Sequence, residues 1–251
     1  MSGSIDSSPS KNSSNFFNHL VDHLSTSDGV KDALKVIDIS SQWASKCSLT
    51  DAQISSLSQV SDFTSKASNL ISSFGLIKQT SELASDLSLA GRVAFSDQDL
   101  TSDKVRAVYS RAARGVLDYA NSLSDCVNNL HDAGCVNLGA GHVASQGVFY
   151  ITDLVGNGID FVSNAKDIDK RSCEMSNGSI SEKKGLRFRL LNHLSMMKMF
   201  SNATCLIGSI LGVVALISGG SVVFPIIGLV LSTAWILSKI LSHFYEKMVL
   251  N

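Results

Sequence analysis

An all-α fold is what the sequence predicts: a helical cytosolic domain followed by a C-terminal two-helix transmembrane hairpin. Three observations lead there. Apolar residues recur three and four apart along most of the first 130 positions, with no comparable period-two alternation. Only two prolines interrupt the 251 residues. Between Lys198 and Lys239 no Asp, Glu, Lys, Arg or His occurs, a gap of roughly 40 residues, about twice one membrane span.

The bulk numbers narrow the classes. A net charge of -1 argues against a nucleic-acid binder, which carries a basic excess. Charged residues make up 17%, against about 25% in an ordinary soluble domain. The five cysteines (Cys47, Cys126, Cys135, Cys173 and Cys205) form no C-x-x-C pair, so they read as free thiols.

In chain order, residues 1-15 are serine-rich and short of hydrophobes, which predicts a disordered tail, with no basic-then-apolar secretory signal. Residues 16-162 read as a helical domain. Val30, Leu34, Ile37, Ser41 and Ala44 share one face, and Ile54, Leu57, Ser61, Thr64, Ala67, Leu70 and Phe74 another, with Thr50 or Asp51 as cap. A separate run follows with Leu76, Leu83, Leu87 and Ala94. The clearest stripe is Val105, Val108, Ala112, Val116, Tyr119, Leu123, Val127 and Leu130, started by Ser102 or Asp103 and stopped by Gly134. Of these, Val105, Val108, Ala112, Val116 and Leu123 are the candidate interaction stripe. The glycine-rich stretch to Val162 reads either as a packed helix or as a membrane-associated segment.

Residues 163-184 turn polar and read as a linker. Residues 185-200 place Leu186, Leu190, Leu194, Met197 and Phe200 beside Arg187, Arg189, His193 and Lys198. This is either a basic amphipathic juxtamembrane helix lying on an anionic surface or an extension of the first span. Residues 203-240 form the bilobed hairpin, its lobes apolar all round and joined by Gly219, Gly220 and Ser221. Gly208 with Gly212, and Gly228 with Ser232, are small residues four apart, which lets helices approach closely in lipid. The cations Lys183, Lys184, Arg187, Arg189 and Lys198 precede the hairpin, and Lys239 and Lys247 follow it. The turn carries none, so both termini, including residues 241-251, are expected in the cytosol.

Catalytic and cofactor motifs give no positive case for an enzyme. Gly139 to Ala144 matches G-x-G-x-x-A with Asp160 following, but a dinucleotide site needs a strand entering the turn. His19 and His23 share a face without a third metal ligand and read as solvent-exposed. No cofactor and no metal are expected.

The hydrophobic block of about 40 residues with its glycine turn, together with the serine-rich start, resembles the inclusion membrane (Inc) proteins of chlamydiae. The resemblance is one of architecture and covers Ala203 to Ile240 and, loosely, the first fifteen residues. It implies type III secretion through an uncleaved N-terminal segment and insertion of the hairpin into the membrane of the pathogen's vacuole. It also implies a non-enzymatic helical domain facing host cytosol, with host proteins or a second copy as partners. Here the large domain precedes the hairpin, whereas many members place the hairpin nearer the N-terminus. A second similarity is to the peroxisome-elongating peroxins, through "TSDGVKDALKVIDISSQWASK" and "TSKASNLISSFGLIKQTSELASDL". It implies membrane remodelling by amphipathic helices.

Overall fold

Thr26 caps the first helix by accepting from the Gly29 amide, and Thr50 caps the second in a reciprocal box with Gln53. In the computed structural model, which describes residues 23–47, 50–95, 102–177, 181–218 and 223–250, six long helices follow. They are α1 (Ser27–Ala44), α2 (Asp51–Ala94), α3 (Ser102–Asp132), α4 (Gly141–Ser176), α5 (Glu182–Ser218) and α6 (Val223–Leu250). Among the described residues there is no strand, and the all-α class holds.

The boundaries follow local chemistry. Helix α3 stops where Gly134 takes φ +74°. The Cys135 amide then bonds Leu130 O and the Gly134 amide His131 O, the paired bonds of a Schellman motif. Where no such signal exists, helices run further than the composition suggests. The two stretches expected to be separate on either side of Phe74 are the single 44-residue α2. Its Gly75 weakens the helix by only about 1 kcal/mol relative to Ala and does not end it.

Three further boundaries depart from expectation for the same reason. The polar stretch expected as a linker over 163–184 is helical over 163–176, because polarity without Gly or Pro does not break a helix. It is also tied sideways: Arg171 donates to Asn192 and Ser195, and Lys184 pairs with Glu174. The 185–200 segment is not a separate surface helix but the first half of α5, continuous into the first lobe. The tail expected at 241–251 is helical through Leu250. The N-terminal tail and the turn residues Gly219, Gly220 and Ser221 lie outside the described residues, as does His19.

Consecutive helices pack antiparallel, and α6 returns to α1, so the six close a ring. The α3–α4 register shows the direction: Arg114 meets Gly156 and Asp160, Asn121 meets Phe149 and Thr152, and Ser145 meets Ser124. Among the described residues no helix packs against one across the ring.

The interior is polar. A small apolar cluster of Ile39, Leu229 and Ile236, flanked by Trp235 and Ile240, joins α1 to α6. Elsewhere the buried residues are more polar than apolar, with Asp32, Thr64, Asp86, Asn128, Thr204 and Ser209 among them. Hydroxyls avoid most of the burial cost by bonding carbonyls of their own helix, as Thr64 does to Val60 O and Ser238 to Trp235 O. Many large apolar side chains are correspondingly exposed. Apolar stripes that would form the core of a soluble bundle are here turned partly outward.

Candidate functional site

The chemistry that sets this chain apart lies in α5 and α6. Both are long and apolar enough to cross a membrane, over Glu182–Ser218 and Pro225–Lys247. Only 11% and 22% of their most apolar windows are buried against the rest of the chain. A core helix of a soluble protein would be mostly covered, so these two helices point to association with a membrane.

The small residues predicted to seat one span on the other divide. At Gly212 an added Cβ would collide with the ring of Tyr150, so a close approach does exist there. The partner is α4, not the second span. Gly208 and Gly228 have no atom within 4 Å of such a Cβ. Together with the exposed Ser232 they open onto a cavity of about 600 Å³ among α1, α4, α5 and α6. The expectation of G-x-x-x-G packing between the lobes is therefore corrected: four-residue spacing places small residues on one face but does not say which helix that face meets. Tyr150, Asp153 and Lys35 line the same cavity. The Ser209 hydroxyl donates to Asp153, fixing α4 to α5. The Lys35 ammonium lies 4.8 Å from the centroid of the Trp235 ring, and burial holds its pKa below the ordinary value, helped by Lys31.

The basic positions also separate. Lys183, Lys184, Arg187 and Arg189 are exposed near the start of α5, although Lys184 pairs with Glu174. Lys198 is half-buried and pairs with Glu246 at 3.2 Å. At the far end of the second lobe, Lys239 meets the buried Asp32 at 2.6 Å. His23, read as solvent-facing, instead lies 3.3 Å from Asp32 and stacks on His243.

The candidate interaction stripe is not one continuous surface. Ala112 is buried, Val105 and Val108 are half-buried, and Val116 and Leu123 are exposed. Helix α3 is held between α2 and α4, so one stripe serves two neighbours and solvent. The clamp on the α4 side is Arg114, which donates to Gly156 O at 2.6 Å and pairs with Asp118 and Asp160. Burial raises the Asp118 carboxyl, and the Arg114 guanidinium works against that rise.

The "GAGHVA" match lies at the entry to α4 from an α-helix, with no strand before it, so no dinucleotide turn is built. The same corner brings together His131, Asp132 and His142, whose ligand atoms lie within 4.8 Å of one another. With its proton on Nδ1, His131 donates to Val136 O at 3.1 Å and leaves Nε2 free for a divalent ion. With the proton on Nε2, Nδ1 accepts from the Leu138 amide and the residue only clamps the loop. No cue to this set is visible in the sequence, since His131 and His142 fall outside any metal-binding spacing. Comparison with protein-family models, with curated proteins and with solved structures finds no match to this chain.

Proposed function

We propose that the chain is a non-enzymatic, type III-secreted protein of a pathogen's vacuolar (inclusion) membrane that displays its helical domain to host cytosol. The observation that carries the membrane part is the exposure of the two most apolar windows, in α5 and α6. Residues 203-240 cross the bilayer as a hairpin and return, a multi-pass anchor. The cations at the start of α5, and Lys239 and Lys247 at the end of α6, keep both termini in the cytosol. The inclusion setting and the secretion route rest on the architectural resemblance to Inc proteins. The domain recruits host proteins or a second copy through exposed apolar positions such as Val116 and Leu123.

Alkaline carbonate extraction tests the anchor, with protease added to intact vesicles whose cytosolic face points outward. Retention in the pellet with both end tags digested is the expected result. Release into the supernatant removes the membrane assignment and the resemblance with it. A second reading is membrane remodelling in the manner of the peroxins. It is favoured by exposed Leu186 and Phe200 beside exposed Arg187 and Arg189. Tubulation of liposomes by the full chain supports it, and simple recruitment predicts none.

A further inference from the structure

If residues 203–218 of α5 lie among acyl chains, whatever is locked to them at that depth lies there too. Helix α4 is locked to them at several points. The Tyr150 ring fills the space over Gly212, Asp153 accepts from Ser209, and Gly158 faces the Leu206 side chain. These contacts run antiparallel along the first lobe, so Val143 to Val162 lies beside it. The exposed side of α4 over that length is apolar: Val143, Val148, Ile151, Val155, Ile159 and Val162 are all exposed. The polar groups of the same stretch are engaged within the ring. Asn157 donates to Asp153, Asn121 donates to Thr152, and Arg114 reaches Asp160 and Gly156 O near the end of the stripe.

Cations mark the end of this depth. No Lys or Arg occurs from 115 to 165, and the two carboxylates within Val143–Val162 are engaged, Asp153 by Ser209 and Asp160 by Arg114, while the α3–α4 corner carries Asp132, His131 and His142. Lys166, Lys170 and Arg171 begin just past Val162, and Arg171 bonds Asn192 and Ser195. The apolar stripe of α4 thus ends near the level where the cations of α5 begin.

From this we infer that Val143–Val162 of α4 enters the bilayer together with the hairpin, its exposed apolar stripe meeting acyl chains, and brings to the same depth the end of α3 that Asn121 and Ser124 tie to it. The inference rests on the hairpin reading proposed above. Carrying α4 along keeps the Asp153–Ser209 bond and the Tyr150–Gly212 contact, which a hairpin entering alone would break.

Site-directed spin labelling of the full chain in phosphatidylcholine/phosphatidylserine liposomes tests it. The five cysteines are changed to serine and one nitroxide is placed at Ile151 or Val155. Ile210 on α5 and Phe63 on α2 serve as references, and each labelled chain is checked for helix by circular dichroism. High oxygen and low nickel-chelate accessibility at 151 and 155, as at 210, is the expected result. A water-like signature at 151 beside a lipid-like one at 210 overturns the inference and leaves the hairpin standing. Low accessibility to both reagents at 151 also overturns it, since protein rather than lipid then covers the face. A water-like signature at 210 sinks the hairpin and this inference together. A photoreactive side chain at Ile151 in the chain with native cysteines reads the same point independently. Lipid adducts support embedding, and their absence while Ile210 forms them refutes it.

Discussion

Gly212 and Gly208 are chemically identical and one helical turn apart, yet the structure gives them opposite roles. An alanine at 208 meets nothing within 4 Å, so Gly208→Ala gains helix propensity of up to about 1 kcal/mol. At 212 the new methyl meets the Tyr150 ring, and Gly212→Ala is expected to destabilise by roughly 1–3 kcal/mol. Thermal unfolding in a mild detergent distinguishes them, and adding Tyr150→Ala to Gly212→Ala should return part of the loss. Equal effects at both positions would restore the G-x-x-x-G reading. Lys35 gives a second residue-scale expectation. Burial lowers its folded pKa beneath the ordinary 10.5, so between the two values the unfolded chain holds more protons and stability rises with pH. Lys35→Met should abolish that rise and stabilise the protein at neutral pH by about 1 kcal/mol, measured by denaturant titration at several pH values.

At the scale of the helix, a local start or stop signal is legible in the sequence, whereas polar composition without one does not end a helix. The Thr50 cap and the Gly134 stop are chemistry within a few residues, and both stand where the sequence put them. Polar composition over 163–176 suggested a break, but a helix needs a positive reason to end, and none is present there. Periodicity likewise marked the stripe of α3 without saying which positions meet a neighbour. Ala112 is 6% exposed and Val116 is 46% exposed. Ala112→Asp is therefore expected to place an unpaired carboxylate against its packed neighbours and lower stability by several kcal/mol. Val116→Asp should stay within about 0.5 kcal/mol and keep its helical circular dichroism. A loss of helix in the Val116 variant would return this position to the core, and loss of partner capture with helix intact would support the recruiting surface.

Closure of the ring belongs to the whole molecule and was beyond the reach of the sequence, because its key pair, Asp32 and Lys239, is 207 residues apart. Nothing local to either residue announces the other. The α1–α6 interface they hold is the thinnest of the six, supported by the Trp43 indole donating to Thr233 and by the His23–His243 stack. The pair is asymmetric, with the Asp32 side chain 3% exposed and that of Lys239 38% exposed. Removing the carboxylate lets the ammonium turn to water, so Asp32→Asn should cost about 2 kcal/mol. Removing the ammonium leaves the buried carboxylate beside His23 without its ion-pair partner, and Lys239→Met should cost roughly 3–5 kcal/mol. Limited proteolysis reads the consequence by region. Cleavage near Lys31, Lys35 and Lys46 should rise in both variants, more in the second, while sites in α4 and α5 hold. If cleavage rises equally along all six helices, closure is not a separable step and the ring unfolds as one unit. If it rises nowhere, the Ile39, Leu229 and Ile236 cluster, the Trp43–Thr233 bond and the His23–His243 stack hold α1, and the ion pair contributes nothing to closing the ring.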